Sequence, residues 1–259
     1  MNKNILLSIL VLATSFPAFA EDIKIHADKQ VEWHSKEQKM VAVGNAVASK
    51  NDMSIKAQEL TAKYEKNAQS GKQEISEIHA SEDVLMTNGK SKAYGHEMIY
   101  NLKEDKAVLY GSPAKITTEN NTITAEKHIT YYPTDQKAVA EGNVFASDGE
   151  NDIYTDSLIA YFTKDKDGKT SLKQAKAFGH VKIVNKDGTV WADKGTYLPK
   201  ANMIKLYDNV TIDQKGNVIH GDYAETNTLT GISKMKAGNK NGRVSGVFKE
   251  KNKKSEKQK

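Results

Sequence analysis

The sequence predicts an all-β protein, on three observations. Apolar and polar residues alternate with a period of two, as at Ile23-Ile25-Ala27, Met98-Tyr100-Leu102 and Val210-Ile212. Turn signals follow one another at short intervals: Asn88-Gly89, Asp167-Gly168, Asp187-Gly188 and Lys215-Gly216-Asn217. No stretch carries a capped 3.6-residue period, and Pro113, Pro133 and Pro199 all fall where strands would begin or end.

Taken in chain order, the first element is not part of the fold. Lys3, an apolar run from Ile5 to Phe16 and the small-x-small signal Ala18-Phe19-Ala20 predict a secretory signal peptide over residues 1–20, cut before Glu21. The run is too short to span a bilayer. The expected location is therefore the periplasm. With no cysteine in the chain, disulfides, thiolate chemistry and a lipidated cysteine are excluded, so stability must come from core and sheet pairing.

The body, residues 21–248, is built on two interleaved phrases. One places a small or turn-forming pair between apolar alternations, at Gly44-Asn45, Gly111-Ser112, Gly142-Asn143, Gly179-His180 and Asp208-Asn209, with a degenerate copy near Ser81. The other sets a small residue at a strand start, at Ala27, Ala57, Gly95, Ala125, Thr155, Ala192 and Gly221. An offset of 98 residues superposes Ala27 on Ala125, Gly44-Asn45 on Gly142-Asn143 and Ile55 on Ile153. An offset of 97 superposes Tyr100 on Tyr197. The body is thus an internal duplication, and the polar stretches 65–74 and 164–173 are matching hairpin loops, not domain linkers. Counting landmarks gives about 14 to 16 strands.

The chain ends in a lysine-rich stretch, residues 249–259, expected to be disordered. It carries +4, and Lys3 another +1, so the formal charge of +5 leaves the body neutral (5 − 1 − 4). A neutral sum supplies no surplus for the basic face a nucleic-acid binder needs.

Catalytic chemistry finds no constellation. The seven histidines lack metal-clamping spacing. Asp165-Lys166-Asp167-Gly168 opens like a calcium loop, but its twelfth position is Lys176 where a bidentate Glu is required. The carboxylates Asp28, Glu126, Asp193 and Asp222 recur after the small residue of the second phrase. Such recurrence predicts strand-end hydrogen bonding, since an acid/base pair would occur once. No enzyme activity, metal or cofactor is expected.

Aromatic residues recur at similar registers, at Tyr64, Tyr100, Tyr131, Phe162 and Tyr197. The side facing inward includes Val43, Ile55, Val84, Met86, Leu102, Ile123 and Ile153. These residues read equally as a closed sheet core or as the lining of an apolar groove between two sheets that do not close.

Between Asp22 and Tyr132 the chain resembles the OstA-like family of periplasmic lipopolysaccharide-transport bridge proteins. The resemblance rests on Ile23-Lys24-Ile25-His26-Ala27-Asp28, Val41-Ala42-Val43-Gly44-Asn45-Ala46-Val47, Ile55-Lys56-Ala57, Gly95-His96-Glu97-Met98-Ile99-Tyr100 and Val108-Leu109-Tyr110-Gly111, with Gly242-Arg243-Val244 before the lysine-rich end. It implies a V-shaped β-jellyroll of two antiparallel sheets forming an open groove for the acyl chains of lipopolysaccharide (lipid A). Ile23, Ile25, Val43, Ile55, Val84, Met86, Tyr100 and Leu102 would line the lipid path. It further implies a head-to-tail homo-oligomer and OstA-domain partners, LptC-like at the inner membrane and LptD-like at the outer. The second copy, about 125–212, lengthens this chain beyond one such unit; eight strands per sheet would span about 40 Å. The rival expectation is a structural β-solenoid, a scaffold or surface-adhesion protein without a lipid ligand, disfavoured by the irregular landmark spacing.

Overall fold

The computed structural model describes residues 23–67, 71–166, 170–238 and 242–249; the expected signal peptide, most of the lysine-rich end and the Asp167-Gly168 turn lie outside them. The described chain is all-β apart from one 3-10 turn at Pro199–Ala201. Its first half comprises β1 (Lys24–His26), β2 (Gln30–His34), β3 (Lys39–Lys50), β4 (Met53–Lys66), β5 (Gln73–Asn88), β6 (Ser91–Asn101), β7 (Lys106–Tyr110), β8 (Ala114–Thr117) and β9 (Thr122–Ala125). The second comprises β10 (His128–Tyr132), β11 (Lys137–Ser147), β12 (Asn151–Lys164), β13 (Thr170–Asn185), β14 (Gly188–Leu198), β15 (Met203–Gln214), β16 (Asn217–Asn227), β17 (Ser233–Lys236) and β18 (Ser245–Val247).

Every pairing is antiparallel, and successive long strands form a meander. Each long strand is interrupted halfway by a register shift, for example between Val43 and Ala46, Glu141 and Val144, and Tyr207 and Val210. The residues inside these shifts are the landmark pairs, and both members of each are left-handed: Gly44 and Asn45 (φ 89° and 43°), Glu82 and Asp83 (61° and 56°), Gly142 and Asn143 (85° and 41°), Gly179 and His180 (77° and 46°), Asp208 and Asn209 (62° and 52°). Two consecutive left-handed residues add an unpaired bulge and bend the strand, a geometry that Gly, Asn and Asp adopt at least cost. At Gly111 the bend breaks the strand outright, leaving β7 and β8.

The bends divide the fold into two sheets. Sheet I holds β2, β7, β10, β17 and one limb of each long strand; sheet II holds β1, β8, β9, β18 and the other limbs. Each sheet is therefore fourteen strands wide, about 60 Å at ~4.8 Å per strand. The eighteen strands exceed the count read from landmarks because the chain crosses between sheets at 111–113 and 126–127 without a continuous strand, and because β17 and β18 carry no landmark phrase.

The fold line is the tightest part of the core. The residue following each left-handed pair turns inward and is buried: Ala46 at 0%, Val84 at 2%, Val144 at 1%, Val181 at 2% and Val210 at 1% exposure. Opposite these residues stand the small residues of the second phrase, Ala57, Gly95, Thr155, Ala192 and Gly221 respectively. Small residues leave room at the corner; a Cβ on Gly95 would lie 2.4 Å from the Tyr110 carbonyl oxygen at the end of β7. The second phrase is thus the steric complement of the first.

The recurring carboxylates clasp the same line. Asn45 donates to Asp28 at 2.9 Å, Asn143 to Glu126 at 2.7 Å and Asn209 to Asp193 at 2.7 Å, while His180 Nδ1 lies 2.8 Å from Asp156. Asp222 accepts the Gly238 backbone N–H at 2.7 Å. These acids secure corners, as their recurrence predicted.

Candidate functional site: the apolar interior between the sheets

The space between the sheets holds three cavities in series, each walled from both sides. At the β1 end, Ile23, Ile25 and Ala48 of the sheet II side face Met40, Leu60, Tyr64 and Ile78 of sheet I around about 290 Å³. In the middle, Met86, Ala93, Ile116 and Ile123 face Met98, Tyr100, Ile129, Tyr131, Ala140 and Leu158 around about 70 Å³. Beyond it, Ile153, Val181 and Ile183 face Leu158, Ala177, Tyr197, Ile204 and Leu206 around about 150 Å³. Leu158 belongs to both the second and the third cavity. The middle cavity is the smallest of the three. The apex valines are fully buried, whereas Ile25, Ile78, Met86, Ile183 and Ile204 are only half-buried. The sheets converge on the fold line and separate away from it.

Tyrosine recurs in the lining of all three cavities, joined by Thr61 in the first and by Asn151, Asn185 and threonines in the third. Burial pushes the hydroxyls of Tyr100 and Tyr131 up to about 12, and the Asp105 carboxylate adds to both shifts; Tyr131 adds further to that of Tyr100. Burial also raises Tyr64 and Tyr197, the latter with a contribution from Asp148. All four hydroxyls stay neutral at ordinary pH. Among the described residues no group of three or more His, Cys, Asp or Glu is placed to hold a metal ion, and no helix is long and apolar enough to cross a membrane.

The sequence-predicted lining residues separate into four positions. Ile23, Ile25, Met86 and Tyr100 line cavities. Ile55 is buried on the interior face at 5% exposure, paired with Ala48 of the first cavity and Met86 of the second. Val84 is interior but sits on the fold line, where it is packing and not groove wall. Val43 and Leu102 lie elsewhere. Val43 neighbours the inward Ala42 and so faces the other side of sheet I, beside Gln30 and Glu59. Leu102 falls in the turn after β6, its N–H bonded to the Ser76 carbonyl, and is absent from all three linings. The two-residue bulge explains Val43: alternation counted across Gly44-Asn45 loses its phase.

Register already set Ile123 and Ile153 inward and Tyr131 and Tyr197 among the recurring aromatics, but the lipid path implied by the resemblance left them out, because the resemblance ended at Tyr132. The duplication held the missing signal. Shifting Ile25 and Ile55 by 98 residues gives Ile123 and Ile153, and shifting Met86 and Tyr100 by 97 gives Ile183 and Tyr197. All four line cavities.

Comparison with known proteins follows the same division. No curated protein sequence matches the chain. Among solved structures, one match is LptH of Pseudomonas aeruginosa, described as the LptA-homologous periplasmic component of the lipopolysaccharide transport device; it is 16% identical, spans 50% of this chain and 95% of its own, and superposes with a TM-score of 0.44. The profile of the LptA/(LptD N-terminal domain) LPS transport protein family matches twice, over residues 24–137 and again over 127–232. Covering nearly all of the described sheet in two successive copies, these matches show that the chain belongs to the LptA/LptD N-terminal domain family of lipopolysaccharide transport proteins.

Proposed function

We propose that the protein is a non-enzymatic carrier that holds the acyl chains of lipopolysaccharide between its two sheets and passes the lipid across the periplasm as one member of a protein bridge. The observation that carries this reading is the run of three cavities walled by both sheets, the second and third sharing Leu158. Burial is worth about 0.8 kcal/mol per methylene, so several acyl chains would be held strongly. A lining without charged groups gives a sliding chain similar surroundings at each step, and the sugar head stays in water beyond the rim. Any spreading of the sheets around a chain would bend the molecule at the bulged fold line.

The chain's two free edges suit assembly in series. Among the described residues β1 and β2 pair only with β3, and β17 and β18 only with β16. Their unpaired backbone groups would accept a strand from a second copy, or from LptC-like and LptD-like OstA-domain partners. The predicted leader places the mature protein, from Glu21, in the periplasm.

Photo-crosslinking tests the groove. Probes at Ile25, Met86, Tyr100 and Ile183 should capture lipopolysaccharide, and probes at Val43 and Lys176, on the outer face of sheet I, should not. Equal capture from both sets removes the groove, and no capture from any probe favours a scaffold without a lipid ligand.

A further inference from the structure

The outer face of sheet II brings aromatic rings, hydroxyls and lysines into register. Its outward side chains follow from the inward ones by alternation, since Ile25, Met86, Ala93, Ile116, Ile153 and Ile183 all line cavities. Cross-strand registers then align one row running through Lys56, Leu85, Tyr94 and Lys115, and onward through Phe145, Tyr154, Lys182 and Trp191. Tyr94, Tyr154 and Trp191 are exposed at 38%, 42% and 39%. Phe145 and Tyr154 stack with centroids 5.2 Å apart, and the Lys182 ammonium lies 5.6 Å from the Tyr154 ring centre.

The neighbouring row, nearer the rim, is a ladder of hydroxyls: Ser49, Ser54, Thr87, Thr117, Thr122 and Ser147. The Ser54 and Thr87 hydroxyls are bonded at 2.8 Å. No carboxylate lies on this face from β1 to β11; Asp152 and Asp213 appear only towards the other end. Lys24, Lys56, Lys92, Lys115 and Lys182 make no ion pair with any described residue. On sheet I, in contrast, Lys63, Lys137, Lys194 and Lys205 are each paired with a carboxylate. The neutral sum of the body conceals an uneven distribution: strand carboxylates are concentrated on the fold line and sheet I, and those of sheet II lie at its far end or, as in Lys90–Glu119 and Lys215–Asp187, in its rim turns.

We infer that the outer face of sheet II binds an anionic saccharide chain lying across the strands. Three features of the face match such a ligand at once. Flat, exposed aromatic rings receive the C–H faces of sugar rings, and exposed rings in a row mark a binding surface more than a solvated one. Hydroxyl side chains exchange hydrogen bonds with sugar hydroxyls in either direction. The lysines supply point charges for phosphate or carboxylate groups. They are sparse, five over about 40 Å from β1 to β13 at ~4.8 Å per strand. That density suits a polymer charged at intervals better than a nucleic acid, which is charged at every nucleotide. The face lies on the opposite side of sheet II from the apolar interior, so the inference stands apart from the groove.

Two sources share this chemistry, the phosphorylated sugars of the transported lipid and a separate acidic polysaccharide. Binding is read by Trp191 fluorescence in a Trp33→Phe background, which leaves Trp191 as the sole tryptophan of residues 21–259. The probes are fully deacylated lipopolysaccharide oligosaccharide, alginate, neutral dextran, phosphatidylglycerol vesicles and a single-stranded oligothymidine. We expect saturable binding of at least one anionic saccharide, none of dextran, and at least a tenfold loss in Lys92→Glu/Lys115→Glu/Lys182→Glu, with no loss in the sheet I control Lys176→Glu. Tighter binding of the deacylated oligosaccharide than of alginate assigns the site to the lipid's own head, and the reverse order assigns it to a separate polymer. Absence of saccharide binding, undiminished binding in the triple variant, or preferential binding of vesicles or oligothymidine each overturns the inference. Lipid capture by the groove probes is unaffected by any of these results.

Discussion

Asn143 and Glu126 meet across the fold line, the side-chain amide donating to the carboxylate at 2.7 Å, and Asn45 and Asp28 make the same contact 98 residues earlier. Around each contact the backbone repeats too: the Glu126 N–H bonds the Gly142 carbonyl and the Asp28 N–H bonds the Gly44 carbonyl, both at 2.7 Å. The acid therefore holds the left-handed pair from the neighbouring strand, and a bend that is locally unfavourable becomes a fixed corner.

Corner chemistry should be measurable in urea. Glu126→Ala removes an exposed hydrogen bond and should cost about 0.5–1.5 kcal/mol. Gly142→Ala should cost more, about 1–3 kcal/mol, because its φ of 85° disfavours a side chain and the new Cβ would lie 2.6 Å from Lys127 Cγ. Equal stability of Gly142→Ala and wild type would mean that the bend does not need its glycine.

The apex should tolerate still less. Val144 is 1% exposed and faces Thr155, with Val181 and Val210 in the equivalent places on later strands. Val144→Ala removes two buried methyl groups and leaves a cavity between strands already in contact, for an expected loss of about 2–3 kcal/mol. A loss under 0.5 kcal/mol in equilibrium unfolding would show that the sheets close up without it.

All-β class, duplication and the corner acids were legible because each leaves a residue-level periodic trace. The corner geometry was legible only as a phrase: Gly44-Asn45 announces a turn pair, but nothing in its letters says that the strand continues, bent, on the far side. That gap displaced Val43 to the wrong face, since period two fails across two inserted residues. The same gap hid the cationic side of sheet II, because Lys92 and Lys115 share a face only once β6 and β8 are paired around Gly111. Charge summed along a chain cannot register such a segregation.

The tyrosines of the interior set an alkaline limit. Tyr100 and Tyr131 titrate at about 12 in the folded protein, against about 10 when unfolded. A raised pKa means that the folded state resists ionisation. Stability is therefore at its plateau below pH 10 and falls as pH rises from 10 to 12. Phenolate absorbance should show a delayed tyrosine fraction, and Tyr100→Phe/Tyr131→Phe should flatten the stability loss over that window. A double variant with the same alkaline profile as wild type would place the sensitivity elsewhere.

Assembly should depend on both free edges. β2 exposes Val31 at 52% and Trp33 at 48%, and at the opposite end Val247 and Phe248 are 66% and 70% exposed. Apolar residues standing beside unpaired backbone groups at each end are what a head-to-tail joint would bury. Each backbone hydrogen bond contributes about 1 kcal/mol net, so the joint should be weak and concentration-dependent. Removing residues 243–259 deletes β18 but leaves β17 and the sheet behind it, so the body should stay folded. Trp33→Lys places a charge at the other edge, where the indole otherwise meets the Tyr64 ring at 5.2 Å. In sedimentation velocity either change should raise the concentration needed for association at least tenfold, a loss of about 1.4 kcal/mol. Combining the two should add little, because one joint has two halves and each change disables it. If the truncated protein forms the same long assemblies as the full chain, the terminal strands are not the joint, and the apolar edges must meet other domains.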